Sequence, residues 1–216
     1  MSGPSIEPVP PPVVAHYERL ARRYDHRWHA YTHTVLERLL SMLTLHGTER
    51  ILDIGCGTGE LERLASQRFP GLTLVGLDAT PAMVEVAREK LAGRPGVSVE
   101  VGEAEALPFV DECFNVVVAA NMLHHVRSVP RALTEGIRVL RPGGWFCLLD
   151  WCRDYWHCRL LHYWLRATDR TYVRMYRLHE LYLQLRTRGV AVRQTRRFIA
   201  PPVYGLMCVT AVKGGA

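Results

Sequence analysis

Short apolar runs alternate with stretches of helical periodicity along most of this chain. Ile51, Leu52 and Ile54 form one run, and four more lie at 72–77, 97–101, 115–119 and 145–149. Runs this short and continuous suit strands covered on both faces. Between them, apolar residues recur at three- and four-residue spacing: Leu61, Leu64, Ala65 and Phe69; then Met83, Val86, Ala87 and Leu91; then Ala132, Leu133, Ile137, Val139 and Leu140. Thr80 and Pro81 supply an N-cap and a first helical residue for the second of these. Strand alternating with helix predicts a doubly wound, mostly parallel α/β sheet.

The two ends of the chain read differently. An apolar and aromatic stripe at Val13, Tyr17, Leu20, Tyr24 and Trp28 predicts a helix over 13–31. Val35, Leu36, Leu39, Leu40 and Leu43 predict a second helix over 34–45, ending near Gly47. After Leu149 comes a stretch heavy in rings: Trp151, Tyr155, Trp156, His157, His162, Tyr163 and Trp164. It could line an apolar pocket, lie on a lipid surface beside Arg159, Arg166 and Arg170, or form a plain packed helix. A helix over 179–188 and an alternating hairpin over 190–198 and 204–212, joined through Pro201-Pro202, close the chain. The expected division is a leader over 1–12, a helical cap over 13–46, a core over 47–150, a helical insertion over 151–189 and a hairpin over 190–213.

Composition narrows the class. The 216 residues are 48% hydrophobic and 22% charged, ordinary values for a single globular domain. The proline-rich first residues do not read as a secretory signal, so a cytoplasmic location is expected. The six cysteines form no C-x-x-C pair, and no metal is expected. The net charge of +6 is uneven: from Trp151 onward there are 12 Lys/Arg against 3 Asp/Glu, and before it 15 against 18. That basic third is either a solvated surface or an attraction for nucleic acid, an anionic substrate or a membrane.

The candidate chemistry begins at Asp53-Ile54-Gly55-Cys56-Gly57-Thr58-Gly59. Glycine at every second position between a strand and a helix permits unusual backbone angles and lets a ligand approach the main chain. Such a turn is expected to aim backbone N–H groups at the ligand. A dinucleotide fingerprint would read G-x-G-x-x-G; this spacing is G-x-G-x-G. Asp78 ends the next strand 19 residues after Gly59, where a carboxylate can accept both ribose hydroxyl hydrogens. His124 and His125 follow the strand at 115–119. Either could accept a substrate proton, or serve structurally.

These segments resemble class I S-adenosylmethionine (SAM)-dependent methyltransferases of the ubiquinone/menaquinone-biosynthesis type. D-I-G-C-G-T-G resembles the family's first motif, G-L-D-A-T-P-A-M the next, and G-E-A-E-A-L-P-F the third. R-V-L-R-P-G-G resembles the turn before strand five. The resemblance implies a seven-stranded Rossmann-like sheet with an N-terminal helical cap, SAM as cofactor, and methyl transfer by in-line displacement. It implies cofactor contacts at Tyr24, Asp53, Gly55, Cys56, Gly57, Gly59, Asp78, Ala79, Met83, Glu103, Ala104, Glu105 and Asn121. Glu103 would accept the adenine amino group and the Ala104 N–H would meet a ring nitrogen. His124 is the catalytic candidate. A small or lipid-like acceptor is expected; the alternatives are an RNA acceptor using the basic third, or SAM binding without turnover.

Overall fold

The computed structural model describes residues 11–214. Most of the leader expected over 1–12 lies outside them, and its last two residues already belong to the first helix, α1 (Pro11–Ser41). Then follow β1 (Arg50–Ile54), α2 (Glu60–Arg68), β2 (Thr73–Asp78), α3 (Pro81–Leu91), β3 (Val97–Val101), β4 (Phe114–Ala120) and a 3-10 turn at Leu123–His125. The chain ends with α4 (Val129–Val139), β5 (Leu140–Trp151), α5 (Trp156–Thr168), α6 (Leu178–Arg186), β6 (Val190–Ala200) and β7 (Tyr204–Lys213).

One seven-stranded sheet runs in the order β3-β2-β1-β4-β5-β7-β6. Its first five strands pair in parallel, and β7 is antiparallel to both β5 and β6. The strand order reverses between β1 and β4. A crevice opens at the carboxyl ends of strands on either side of such a reversal. Alternate residues divide the core: Leu52, Ile54, Val117 and Phe146 pack under α4 and α6, while Ile51, Val116, Val118 and Leu149 pack under α1 and α2.

Three details differ from the sequence reading. The two expected N-terminal helices are one. No glycine or proline interrupts 31–34, and the Thr32 and Thr34 hydroxyls donate to the carbonyls of Trp28 and Ala30, one turn back. Arg141-Pro142-Gly143-Gly144 is not a turn before strand five but a bulge inside β5: pairing jumps from Phe114↔Leu140 to Val116↔Trp145. Only β6 alternates like a half-exposed strand; β7 is buried along most of its length because it lies between β5 and β6.

Candidate active site

The glycine loop joins β1 to α2, with Gly55, Gly57 and Gly59 all left-handed at φ +78°, +54° and +76°. Its amides are tied down. The N–H groups of Gly55 and Cys56 donate to the Leu77 carbonyl at 2.7 and 3.1 Å, and that of Gly59 to Cys56. The Gly57 N–H donates to Asp78 Oδ2 at 2.9 Å, and the Thr80 N–H to Asp78 Oδ1 at 2.8 Å. The expectation of amides aimed at a ligand is therefore corrected for these four. Those of Gly55, Cys56 and Gly57 fasten the loop to the end of β2, that of Gly59 closes the loop on itself, and the Gly57 and Thr80 amides fix the Asp78 carboxylate, whose remaining lone pairs stay available.

Each glycine has its own reason. A Cβ on Gly55 would lie 2.7 Å from the Met122 Cβ, and one on Gly59 would lie 2.7 Å from Leu91. Gly59 therefore lets α2 pack on α3 and lines neither of the two cavities described below. A Cβ on Gly57 would meet nothing within 4 Å: it would stand in the open crevice.

The floor beneath the loop is acidic. Asp53 and Glu62 are buried, and Asp53 Oδ1 and both Glu62 oxygens have no hydrogen-bond partner among the described residues. Burial, then the Glu62 charge, pushes the Asp53 carboxyl well up. Burial lifts Glu62 to about 7 against the pull of its own nearby amide and of Lys90. Asp78 is also raised by burial, with the Thr80 and Gly57 amides opposing. Unpaired buried carboxylates are costly, and a cation above them relieves that cost.

At the carboxyl ends of the strands lies a cavity of about 760 Å³, partly open to solvent, with Asp78 and Glu105 in its wall and neither Asp53 nor Glu62 among its lining residues. Asp78, Ala79, Met83, Ala104 and Glu105 line it, as do Val13, Tyr17, Met122, His125 and Val126. A second cavity of about 480 Å³ shares Tyr24, Gly55, Gly57 and Asn121 with it and reaches Asp53, Cys56 and Thr58. The cap helix α1 closes both. Asp25 accepts from Thr58 Oγ1 at 2.5 Å and pairs with Lys90 of α3, while the Ala82 N–H donates to Glu18. Tyr24 is pushed up to about 12, by burial and then by Asp78, so it stays a neutral phenol.

Asn121 follows β4 in a left-handed conformation at φ +54°. Asparagine tolerates that region better than most residues. Its Oδ1 accepts from Tyr31 Oη at 2.9 Å, and Tyr31 in turn accepts from Trp151 Nε1 at 3.1 Å.

The two histidines have exchanged the expected places. His125 lines the cavity; His124 is not among the lining residues. His124 is buried, donates from Nδ1 to Asp150 Oδ1 at 2.7 Å and stacks on Trp151 with centroids 4.5 Å apart. His125 Nδ1 lies 2.8 Å from the Thr171 carbonyl, which can only accept, so that nitrogen carries the proton. Nε2 then accepts from Tyr17 Oη at 2.8 Å. Burial, then the neighbouring His124, lowers His125 to about 3, so it is neutral near pH 7.

Of the expected cofactor residues, Tyr24, Asp53, Gly55, Cys56, Gly57, Asp78, Ala79, Met83, Ala104, Glu105 and Asn121 line these two cavities. Glu103 stands half-buried beside them, with its neighbours Gly102 and Ala104 on the wall. Sequence reasoning missed Tyr17 as a lining residue and Tyr31 as the residue that holds Asn121. A signal existed: Tyr17, Tyr24 and Tyr31 are spaced by seven, which places them on one helix face. Asp150 and Thr171 left no such trace. Among the described residues, His29, His33 and Glu60 offer three metal-binding atoms within 4.8 Å of one another. Arg63 already holds Glu60 through both oxygens, with Lys90 beside it.

Residues 52–148 match the family model described as "Methyltransferase domain". That stretch is similar to the methyltransferase-domain family. The pinned Asp78 carboxylate and the open space over Gly57 fit S-adenosyl-L-methionine, the cofactor proposed below. The chain is 32% identical over 149 residues to the demethylmenaquinone methyltransferase of Symbiobacterium thermophilum, covering 62% of this chain and 57% of that protein. It is 36% identical over 132 residues to the malonyl-[acyl-carrier protein] O-methyltransferase of Geobacter sulfurreducens, covering 60% and 49%. The chain thus spans about half the length of the curated relatives it matches. Among solved structures, YcgJ from Bacillus subtilis aligns with a TM-score of 0.74 at 22% identity, over 85% of this chain and all of that one. The [4+2]-cyclase SpnF aligns with a TM-score of 0.82 at 18% identity, over both whole chains. Those two likenesses show the fold.

Proposed function

We propose that this methyltransferase domain transfers the methyl group of SAM to a small or lipid-like acceptor at the outer end of the larger cavity. The observation that carries the reading is the buried Asp53, which lines the smaller cavity and has an unpartnered oxygen, together with loop amides already engaged. A phosphate ligand needs free amides and a positive dipole. Buried carboxylates suit a nucleoside bearing cationic groups.

SAM supplies an electrophilic methyl on a positively charged sulfur, so the protein's task is positioning and water exclusion. Asp78 would accept the ribose hydroxyls, held in place by Gly57 and Thr80. Asp53 would face the amino-acid end, and Ala79, Met83, Ala104 and Glu105 the base. Glu103 would serve as the adenine acceptor from the rim. Asn121, locked by Tyr31, presents its amide between the two cavities.

The acceptor side is mostly apolar and aromatic, with Tyr17 and His125 as a neutral hydrogen-bonded pair. One relative is named for demethylmenaquinone and another for malonyl-[acyl-carrier protein]; neither name is a nucleic acid. His124 enters the proposal as a positioning residue. With Asp150 it fixes the turn that holds His125 at the wall. His124→Gln is expected to change KM and thermal stability while leaving the ionisations in the pH–rate profile in place. Loss of an ionisation near neutral pH would restore a proton-accepting role.

The test is transfer of tritiated methyl from SAM into fractionated cell extract. Label in the organic-extractable or small-molecule fraction supports the reading. Label confined to RNA, or no S-adenosylhomocysteine formed with any fraction, overturns it.

A further inference from the structure

Helix α5 presents two apolar faces where a packed helix needs one. Its inner face buries Cys158, His162 and Leu165 against Tyr172 and Met175. Its outer face exposes Trp156, Leu160, Tyr163 and Trp164, at 72%, 63%, 68% and 61% of their full surface. Their spacing places them on one stripe, opposite the buried residues. Large apolar residues this exposed and this contiguous mark an interaction surface.

The charge around the stripe points to the partner. Residues 155–178 hold five arginines, Arg159, Arg166, Arg170, Arg174 and Arg177, against one acid, Asp169. The first three are exposed. Tryptophan and tyrosine favour the headgroup level of a bilayer, and flanking arginines favour anionic lipids. A second copy of this chain would instead bring two basic surfaces together. No helix among the described residues is long and apolar enough to cross a membrane, so the helix would lie on the surface.

The placement also matters. Trp151, just before α5, hydrogen-bonds Tyr31. Just after α5, Thr171 accepts from His125, and the Val173 N–H donates to the His124 carbonyl at 2.8 Å. Both ends of the helix are thus fastened to the acceptor side of the cavity. The β6–β7 turn, with Val203 63% exposed, adjoins the start of α5, where Gly205 packs on Tyr155 and Cys158.

We infer that α5 docks this methyltransferase domain on an anionic membrane surface through the Trp156, Leu160, Tyr163 and Trp164 stripe, with the mouth of the cavity facing the lipid. The inference takes its purpose from the lipid-like acceptor proposed above; its binding test needs neither acceptor nor SAM.

The experiment is flotation of the full chain with vesicles of phosphatidylcholine alone and with about 30% phosphatidylglycerol. The chain is expected to float with the anionic vesicles, and tryptophan emission to shift to shorter wavelength. The double variant Trp156→Gln, Trp164→Gln should bind about tenfold less, and the triple variant Arg159→Gln, Arg166→Gln, Arg170→Gln should lose the preference for anionic lipid. Quenching of the unmutated protein's tryptophans by brominated acyl chains reads insertion without any substitution. Failure to float with anionic vesicles, or absence of that quenching, would overturn the inference. So would self-association through the stripe, seen by sedimentation as oligomers that only the tryptophan variant loses. Vesicle binding by a protein that methylates only water-soluble acceptors would overturn the acceptor reading alone. Lipid methylation without vesicle binding would overturn the docking alone.

Discussion

The two ends of the cavity are built by different means. The end proposed for the cofactor is lined mainly by residues between Asp53 and Glu105, one stretch of chain. The end proposed for the acceptor is braced by side chains that meet across the sequence. Tyr17 bonds His125, Tyr31 bonds Asn121, and Trp151 bonds Tyr31. The first construction is local and needs fixed residue types at fixed spacing. The second is long-range, and many ring combinations would build it. A shared ligand can hence be recognised by a short motif, while acceptor choice is free to vary on the same scaffold.

Substitutions at the two ends should break apart in their effects. Gly57→Val is expected to be the most severe, weakening SAM binding a hundredfold or more, about 3 kcal/mol. Its side chain would fill the open cradle and hold a β-branched residue at φ +54°. An undiminished SAM titration would contradict this. Asp78→Ala should cost about 1–3 kcal/mol of SAM affinity, through lost ribose contacts and two freed loop amides. Calorimetry with unchanged affinity would remove Asp78 from the site.

Two predictions concern pH and carry opposite signs. Glu62 is raised to about 7 from an ordinary 4.5, so the folded state holds its proton longer than the unfolded one. Its contribution to stability is present below about pH 4.5 and is lost as pH rises through 7. Glu62→Met should therefore stabilise the fold at pH 8 by on the order of 2 kcal/mol and do less at pH 4, read by thermal melts. His125 is lowered to about 3 from 6.5, so the unfolded state binds the extra proton between those values. Its contribution is complete above about pH 6.5 and is lost as pH falls toward 3. His125→Gln should flatten the acid limb of the stability curve; an unchanged limb would refute the burial of a neutral ring.

The smallest effect is expected at the acceptor end. Tyr31→Phe removes the bond to Asn121 and leaves Trp151 Nε1 without its acceptor, at about 1 kcal/mol of stability. If the comparison holds, KM for the acceptor moves more than SAM affinity. A larger loss in SAM affinity would show that the two ends are coupled through Asn121.

Most of the cavity lining between Asp53 and Glu105 was legible in the sequence because its cause is local. A glycine at position 57 and an acid at position 78 follow from what a strand–turn–helix must do around a nucleoside. The same locality explains what was misread. Spacing shows that an amide exists in a turn, not that the Leu77 carbonyl already holds it. The exchange between His124 and His125 was illegible, since the side that each ring takes depends on Asp150 and Thr171, 26 and 46 residues away. The joined α1 was legible in principle: nothing in Thr32-His33-Thr34 breaks a helix.

The most direct test of the central claim is a crystal structure with S-adenosylhomocysteine bound. The account predicts both ribose hydroxyls on the Asp78 carboxylate, the amino-acid end over Asp53, and the adenine between Met83 and Ala104. An adenosyl group elsewhere, with Asp78 holding only the Gly57 and Thr80 amides, would contradict it.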